Sequence, residues 1–422
     1  MRLRVQKSNM SGCINIPGSK SHTIRSLFIS SIAEGTSRIH YPLLSQDTFS
    51  AVKACTAFGA KIKQDSNSFI VTGFGGKPQV PENIIDVENS GTTLRLAMMT
   101  AGLVDGTTVF TGDSQIRKRP LKPLICAMNN LGASVFSTRG NGMAPIVVKG
   151  LAKGGHTELD AVTSQYLSSI LISAPLLTND TELTVVRLNE VPYVEMTLWW
   201  LDKQNIKYDN DNFKHFRIYG NQKYSPMETT IPGDFSSATF FLVLAAISKG
   251  EFVLQNLDMS DSQGDKQVAA ILESMGAKLE IYGKGIRIKG SELVGKTIDM
   301  NAIPDALPAM AVAGCFAEGE TRLINVPQAR LKETDRISVM CKELRKLGAD
   351  IFELPDGLVI RKSKLVAGCV DGHYDHRVVM ALAVAGLNTD GETIVDTAEA
   401  MNVTFPEFPD LVKRCGGNIE LM

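Results

Sequence analysis

The sequence predicts an α/β protein of two similar domains, built from six copies of one βαβαββ unit with three copies per domain. Six helix-ending segments share a residue that tolerates the left-handed conformation of a helix C-cap, and they are spaced by 73, 73, 71, 72 and 68 residues. These residues are Gly59, Gly132, Asn205, Gly276, Gly348 and Gly416. An alternating pattern after each cap predicts a hairpin, and a strand-to-helix passage further upstream predicts parallel pairing.

The elements of one unit follow from local patterns. Helical stretches of about three turns precede the caps, for example residues 47–58, 120–131 and 336–347. The sixth unit ends at Met422 after one strand, and the N-terminal segment MRLRVQK has the pattern of its missing strand. We therefore expect the N-terminal strand to complete the sixth unit. This gives an upper domain of residues 15–229 and a lower domain of residues 1–14 plus 230–422, because the chain is too long for one hydrophobic core.

Composition excludes several classes of protein. The 422 residues include 44 Lys and Arg and 45 Asp and Glu, and a net charge of −1 disfavours a nucleic-acid-binding protein. Seven cysteines without a C-x-x-C pair are typical of a reducing compartment. The N-terminus lacks the apolar stretch of a signal peptide, and the longest apolar run, residues 238–247, is too short to span a bilayer. We expect a soluble cytoplasmic monomer with no nucleic-acid or membrane partner.

Polar segments recur about 40 residues before each cap, where a predicted strand gives way to a helix. They are PGSKSHTIR (17–25), ENSGTTLR (88–95), VTSQYL (162–167), PGDFSSAT (232–239), IPDALPAM (303–310) and YDHRVVM (374–380). Free N–H groups and the positive end of the helix dipole make a helix start a ready anion site. Taken singly, most of these segments are explained as well by ordinary helix capping with solvated charges.

Seven basic residues belong to these segments and to two neighbouring ones, RKRP (117–120) and LKETDR (331–336). They are Lys20, Arg25, Arg95, Arg119, Lys332, Arg336 and Arg377. A neutral protein that gathers seven unpaired cations would attract a ligand with several anionic groups, such as phosphates and carboxylates. Arg119 is expected at the first turn of the helix that follows it. Lys332 and Arg336 are expected on one helix face, with Glu333 pointing elsewhere.

Two acids and one histidine stand among these cations. Asp305 and Glu333 are available for proton transfer. Asp375, His376 and Arg377 precede an apolar run, where a charge cluster is expensive unless it is paired or used, although a structural salt bridge would also explain it. His376 has no partner that would make a metal site. No activated Ser or Cys nucleophile and no nucleotide fingerprint is evident.

In this order along the whole chain, the motifs PGSKSHTIR, NSGTTLR, RKRP, IPDA, LKETDR and DHR closely resemble the EPSP synthase family. The resemblance implies a two-domain inside-out α/β barrel and a transferase of the shikimate pathway to chorismate and the aromatic amino acids. Such an enzyme moves the enolpyruvyl group of phosphoenolpyruvate to the 5-hydroxyl of shikimate 3-phosphate and releases phosphate, through a tetrahedral ketal that is never attached to the protein. It implies no metal and no organic cofactor.

The resemblance also implies roles for individual residues. Lys20, Asp305 and Glu333 would be catalytic, with Asp305 taking the 5-hydroxyl proton and Glu333 handling the proton on the methylene carbon. The contacts to shikimate 3-phosphate, in the upper domain and beyond, would be Lys20, Ser21, Arg25, Thr163, Ser164, Gln165, Tyr193, Asp305, Gln328 and Lys332. Phosphoenolpyruvate would be held by Lys20, Asn89, Gly91, Arg119, Gln165, Arg336, His376 and Arg377.

The chain departs from the family pattern at four positions. Thr163 replaces a serine but keeps the hydroxyl, and Gln328 stands where the family has an asparagine. Glu190 stands where the family has a phosphate-binding serine, and we expect it to turn away or the local alignment to shift. Val403 replaces a lysine that precedes T-F-P, so one cation for phosphoenolpyruvate is missing.

Other functions stay open at this point. UDP-N-acetylglucosamine enolpyruvyltransferases share the fold, but their N-terminal segment has Lys-Asn rather than Lys20-Ser21, and their reactive loop cysteine has no counterpart near Arg119. A non-catalytic repeat-built anion-binding protein and an RNA-phosphate-processing relative are further alternatives. The net charge argues against the last of these.

Overall fold

The computed structural model describes residues 1–422, which form twelve α-helices and twenty-four strands. The helices are α1 (Lys20–Ile32), α2 (Gln46–Ala57), α3 (Gly91–Ala101), α4 (Lys122–Asn130), α5 (Ser164–Ser173), α6 (Val191–Lys203), α7 (Phe235–Ile247), α8 (Gln267–Met275), α9 (Leu307–Phe316), α10 (Arg336–Lys346), α11 (His376–Gly386) and α12 (Phe408–Arg414). The strands of the first half are β1 (Arg2–Gln6), β2 (Gly12–Asn15), β3 (Thr36–His40), β4 (Lys61–Asp65), β5 (Ser68–Thr72), β6 (Ile85–Asp86), β7 (Thr107–Thr111), β8 (Ser134–Ser137), β9 (Ile146–Lys149), β10 (Gly155–Ala161), β11 (Thr181–Leu188), β12 (Tyr208–Asp211) and β13 (His215–Ile218). The strands of the second half are β14 (Glu228–Thr230), β15 (Glu251–Gln255), β16 (Lys278–Tyr282), β17 (Gly285–Lys289), β18 (Thr297–Asp299), β19 (Glu320–Ile324), β20 (Asp350–Leu354), β21 (Gly357–Arg361), β22 (Cys369–Asp371), β23 (Glu392–Asp396) and β24 (Asn418–Leu421).

Six four-stranded sheets share one pattern. The orders are β14-β3-β5-β4, β6-β7-β9-β8, β10-β11-β13-β12, β2-β15-β17-β16, β18-β19-β21-β20 and β22-β23-β1-β24. In each sheet the first two strands are parallel and the remaining pairs are antiparallel. A helix connects the parallel strands of four sheets directly, as a βαβ crossover requires. The predicted βαβαββ unit is thereby confirmed.

The helix-ending residues that revealed the repeat have the predicted backbone conformation. All six have positive φ, from 55° at Asn205 to 117° at Gly276. Each is followed within two or three residues by a strand, and in the first five repeats this is the first strand of a hairpin. The left-handed cap is a local requirement, which is why it can be recognised in sequence.

The N-terminal strand completes the sixth sheet, as predicted. β1 lies between β23 and β24 and is antiparallel to both, with Val5 opposite Thr393 and Ile419. A second exchange was not predicted. β2 precedes the first repeat in sequence yet forms the parallel edge of the fourth sheet, and β14 follows the third repeat yet forms that edge of the first sheet. Both exchanges join strands that are far apart in sequence.

The chain divides into two compact units. The continuous unit is Gly18–Ile231, and the split unit combines Met1–Pro17 with Pro232–Met422. The predicted limits, residues 15 and 229, lie within a few residues of these. Each unit has its own hydrophobic core. No helix is both long enough and apolar enough to cross a membrane.

Within each unit, the first helix of every repeat is enclosed by the rest of that unit. Every residue of α3 and of α11 is buried, and α1, α5, α7 and α9 each have at most two residues that are not. In the continuous unit α3 packs on α5, and in the split unit α9 packs on α7 and α11. A helix that is apolar over most of its length is typically buried, and the polar residues of these helices include those of their first turns. These first turns are the polar segments that the sequence singled out.

Candidate active site

All six polar segments lie at helix N-termini, as predicted. Five of the helices have an N-cap side chain that accepts a hydrogen bond from a backbone N–H two or three residues later. These caps are Ser19, Ser90, Thr163, Asp234 and Asp375. The fifth segment enters α9 through a 3₁₀ turn, Pro304–Ala306, without a side-chain cap. One cap satisfies only one of the free N–H groups of a helix start, so the capped starts still have N–H groups for an anion.

Lys20 is the first residue of α1 and is paired with a carboxylate. Its Nζ lies 3.1 Å from Oδ2 of Asp47, which is buried in the first turn of α2. The expectation that Lys20 is unpaired is therefore wrong. Sequence reasoning missed Asp47, although an acid just after the Ser45 cap is a recognisable helix-start signal.

Arg25 is buried and joins α1 to α5 and α6. Its Nε donates to Oγ1 of Thr197 at 2.9 Å, its Nη2 donates to Oγ of Ser168 at 3.3 Å and to the carbonyl of Tyr193 at 3.1 Å, and its Nη1 donates to the carbonyl of Ser21 at 3.1 Å. Burial lowers the pKa of Arg25 to about 10. The structure thus brings Ser21, Arg25 and Tyr193 into direct contact, and Ser168 and Thr197, which the sequence did not single out, accept further hydrogen bonds from Arg25.

The start of α5 is occupied by the side chain of Glu190. Its Oε2 accepts hydrogen bonds from the backbone N–H of Ser164 at 3.1 Å, from Oγ of Ser164 at 2.8 Å and from Oγ1 of Thr163 at 3.2 Å. Glu190 is 1% exposed. The expectation that Glu190 turns away is wrong, because the N–H and hydroxyl groups of this helix start attract the carboxylate as they would any other anion.

Gly91 lies under two guanidinium groups at the start of α3. A Cβ at this position would collide with Nη1 of both Arg95 and Arg119, so any other residue would displace these two guanidinium groups. Nη1 of Arg95 donates to the carbonyl of Gly91 at 2.9 Å. Nearby, Nε2 of Gln165 donates to Oγ1 of Thr92 at 3.2 Å, which brings the starts of α3 and α5 together.

Asn89 and Arg119 complete this region. Nδ2 of Asn89 donates to Oδ2 of Asp113 and to Oε1 of Gln115, both at 2.5 Å, while its buried Oδ1 has no hydrogen-bond partner. Arg119 is not in the first turn of the next helix as expected. It ends the 3₁₀ turn Ile116–Lys118, and α4 begins three residues later at Lys122.

In the split unit, three carboxylates surround the guanidinium of Arg336. Nη1 donates to Oδ1 of Asp305 at 2.7 Å, Nη2 donates to Oε2 of Glu333 at 2.5 Å, and Nε donates to Oδ2 of Asp375 at 2.9 Å. Arg336 is 1% exposed and Asp375 is fully buried. Burial alone would lower the pKa of Arg336, but the three carboxylates outweigh it and raise that pKa above its ordinary value. The guanidinium is therefore charged and tightly held.

Asp305 lies between two arginines. Its Oδ1 accepts from Arg336, and its Oδ2 accepts from Nη2 of Arg377 at 2.9 Å. His376, the first residue of α11, is 1% exposed beside Arg377 in sequence. Burial, together with repulsion from Asp305, raises the pKa of Asp265 to about 6. Asp265 was not singled out in the sequence.

The segment LKETDR differs from its expected geometry. α10 begins at Arg336, and Lys332 directly follows the 3₁₀ turn Pro327–Leu331, so these two residues do not share a helix face. Glu333 does not point elsewhere but is paired with Arg336. Gln328 lies inside the 3₁₀ turn, where its Nε2 donates to the carbonyl of Asn301 at 3.0 Å and its buried Oε1 has no hydrogen-bond partner.

The arrangement has the chemistry of an anion-binding site rather than of a metal centre. No group of three or more His, Cys, Asp or Glu side chains is arranged to hold a metal ion. The continuous unit offers helix N-termini, guanidinium groups and Lys20 for anions. The split unit offers guanidinium groups and Lys332, with Asp305 and Glu333 as acids that could accept protons.

Comparisons with known proteins agree with one another. A family model described as EPSP synthase (3-phosphoshikimate 1-carboxyvinyltransferase) matches residues 5–412. Two proteins named 3-phosphoshikimate 1-carboxyvinyltransferase, from Acetivibrio thermocellus and Ruminiclostridium cellulolyticum, are 66% and 65% identical to this chain. The matches cover 99% and 100% of this chain and the same shares of those proteins. A solved structure of EPSP synthase from Acinetobacter baumannii superposes with a TM-score of 0.83 at 28% identity and covers 99% of both chains.

Proposed function

Because the chain belongs to the EPSP synthase (3-phosphoshikimate 1-carboxyvinyltransferase) family, we propose that the helix starts described above are its substrate contacts. The protein transfers the enolpyruvyl group of phosphoenolpyruvate to the 5-hydroxyl of shikimate 3-phosphate and releases phosphate, a step of the shikimate pathway to the aromatic amino acids. The observation that carries this conclusion is the match of the family model and of named relatives along the whole chain.

The continuous unit is assigned the contacts to shikimate 3-phosphate. Thr163 and Ser164 offer two hydroxyl groups and the N–H of the first turn of α5, which suit a phosphate. Arg25 with Ser21 and Tyr193 is assigned to the shikimate carboxylate. Support comes from the hydrogen bonds that fix the Arg25 guanidinium between α1, α5 and α6.

Phosphoenolpyruvate is assigned to residues of both units. In the continuous unit these are Lys20, Asn89, Gly91, Arg119 and Gln165, and in the split unit they are Arg336, His376 and Arg377. Two observations support the assignment. Arg119 and Arg95 converge over Gly91, where a Cβ would displace both guanidinium groups. Arg336 and Arg377 converge on one carboxylate, and a guanidinium fork suits a ligand carboxylate or phosphate equally well.

The acids of the split unit are assigned the proton transfers, with Gln328 and Lys332 beside them as substrate contacts. Asp305 accepts the 5-hydroxyl proton, and Glu333 handles the proton of the methylene carbon. Both oxygens of Asp305 accept from arginines at 2.7 and 2.9 Å, and a carboxylate so paired is a poor base. We infer that the anionic groups of phosphoenolpyruvate draw these guanidiniums away and so free Asp305 to accept the proton. The tetrahedral ketal is then formed and broken without attachment to the protein.

The protein is expected to act as a monomer in the cytoplasm. All seven cysteines are free, as a reducing compartment would leave them. Light scattering coupled to size-exclusion chromatography measures the mass directly, and a mass of twice 45.8 kDa would contradict the monomer.

The decisive experiment is a phosphate-release assay with phosphoenolpyruvate and either shikimate 3-phosphate or UDP-N-acetylglucosamine as acceptor. We expect turnover with the first acceptor only, and abolition of turnover by Asp305→Asn. Lys284→Met is the matched control, because Lys284 is exposed and paired only with Asp258 on the surface. Release with the nucleotide sugar alone would support the alternative enolpyruvyltransferase, and release with neither would contradict the assignment of the reaction.

A further inference from the structure

An acidic side chain fills the start of α5, where a ligand anion would otherwise bind. One oxygen of Glu190 accepts three hydrogen bonds from Thr163 and Ser164, at 2.8 to 3.2 Å. The carboxylate is buried and comes from the residue just before α6. The donors that it uses are the two hydroxyl groups and the first N–H of α5.

Ordinary helix capping does not account for this arrangement. Thr163 already caps α5, since its side chain accepts from the N–H of Gln165. Glu190 is the N-cap residue of α6, yet its side chain makes no cap hydrogen bond to its own helix and reaches α5 instead. It does so from a backbone with φ of 61°, a conformation that costs a non-glycine residue free energy. The carboxylate therefore behaves as an anion bound at the start of a neighbouring helix.

We propose that Glu190 determines specificity at this subsite: its carboxylate is an internal occupant of the phosphate position, and the phosphate of shikimate 3-phosphate binds by displacing it from Thr163 and Ser164. This inference rests on the proposed function, which assigns those donors to that phosphate. Two anions cannot share one set of donors, because like charges in contact repel and the donors satisfy only one of them. The affinity for the phosphorylated substrate is therefore reduced by the free energy of releasing Glu190, whereas a ligand without the phosphate is unaffected.

The test compares two ligands that differ only in the phosphate. Calorimetry gives the dissociation constants of shikimate 3-phosphate and of shikimate for the full-length protein, for Glu190→Gln and for Glu195→Gln. Glutamine keeps the size of the side chain and removes its charge. Glu195 is an exposed acid on the same helix and serves as the matched control for a change of net charge.

In Glu190→Gln we expect the dissociation constant of shikimate 3-phosphate to fall about tenfold, the effect of replacing a competing charged acceptor by a neutral one. The constant for shikimate stays unchanged, and Glu195→Gln changes neither. An unchanged or larger constant for shikimate 3-phosphate in Glu190→Gln would overturn the proposal. Equal changes for both ligands would do the same, since they would show that Glu190 only shapes the site.

Thermal unfolding supplies a second readout. Without ligand, Glu190→Gln should unfold at a lower temperature, because α5 loses a charge at its positive end. With saturating shikimate 3-phosphate the rise in Tm should be larger in the variant than in the parent protein. If Glu190→Gln does not fold, Glu190→Asp withdraws the carboxylate by one methylene, and the same tightening for the phosphorylated ligand is expected; its absence would contradict the proposal. If the parent protein and both variants bind no shikimate 3-phosphate, the proposed function fails rather than the role of Glu190.

Discussion

The guanidinium of Arg336 is expected to be the most costly single charge to remove from the split unit. It donates to Asp305, Glu333 and Asp375 at 2.5 to 2.9 Å. The side chains of these three acids are 17%, 12% and 0% exposed. Replacing Arg336 by Met would leave three acids close together after the loss of the guanidinium that they share, with Arg377 still paired with Asp305.

The magnitude follows from the burial. Breaking a buried ion pair by removing one partner costs about 3–5 kcal/mol, because an uncompensated charge remains in a medium of low polarity. Arg336→Lys keeps the charge but loses the fork that serves three carboxylates at once, and we expect an intermediate loss of about 1–3 kcal/mol. Arg322→Met is the matched control. Arg322 pairs with Glu320 on the surface, where such a pair contributes about 0–1 kcal/mol.

Urea unfolding measures these free energies, provided that each unit is followed separately. Both tryptophans, Trp199 and Trp200, lie in the continuous unit, so fluorescence reports on that unit. Hydrogen exchange in α10 and α11 reports on the split unit, because Arg336 and Asp375 belong to the starts of these helices. The order of loss should be Arg336→Met, Arg336→Lys and then Arg322→Met. If Arg336→Met destabilises α10 and α11 no more than Arg322→Met does, the cluster does not stabilise the fold and the reasoning fails.

Three further outcomes are expected. Burial raises the pKa of Asp265 to about 6, so this carboxyl binds a proton more tightly in the folded protein than in the unfolded chain, and the free energy of unfolding falls as pH rises from about 4 to 6. Asp265→Asn should remove this fall and raise the free energy of unfolding by up to about 3 kcal/mol at pH 7. Urea unfolding at several pH values measures this, and parallel curves of stability against pH for the parent protein and the variant would contradict it. Val403 is 8% exposed, and a lysine at this position could reach solvent along its aliphatic stem. Val403→Lys should therefore supply the missing cation and lower the KM for phosphoenolpyruvate by the equivalent of about 1 kcal/mol. An unchanged or raised KM would show that another residue already serves this position. If Lys20 stabilises charge at the reacting hydroxyl, Lys20→Met should lower kcat by a factor of about 10²–10³. Lys53→Met is the control, because it removes an exposed lysine that is paired with Glu88 and should leave kcat unchanged. Equal small losses of kcat in both variants would place the site elsewhere.

The repeat could be predicted because its signals are local. A helix that ends in a left-handed residue needs Gly or Asn at that position whatever surrounds it, and all six predicted positions have this backbone conformation. The N-terminal strand could be assigned because one unit visibly lacked a strand. The exchange of β2 and β14 between the first and fourth sheets could not be predicted, since a strand of three or four residues has no pattern that names its partner.

The positions of the helix starts were predicted from the sequence, but the ion pairs at these helix starts were not. The helix starts, and with them Lys20, Asn89, Ser164 and His376, lie where the sequence placed them. Sequence reasoning treated the basic residues as unpaired because most of the acids that pair with them are distant in sequence, as Asp47 is from Lys20. It also extended α10 back to Lys332, because it did not recognise the 3₁₀ turn that ends just before that residue.

These pairings change how the affinity for anionic substrates must be understood. In the split unit, two guanidinium groups are paired with three carboxylates, those of Asp305, Glu333 and Asp375. In the continuous unit, Asp47 is paired with Lys20, and the carboxylate of Glu190 occupies the start of α5. On the proposed assignment of the site, a substrate anion exchanges places with an internal carboxylate and does not enter a field of free cations. The net free energy of binding is the difference between two pairings, each with charge-assisted hydrogen bonds, and is smaller than a count of cations suggests. Because every pair involves buried groups, this difference in free energy should respond weakly to salt. The selectivity for a phosphate over a carboxylate of the substrate then depends on which carboxylates of the protein can leave their basic partners.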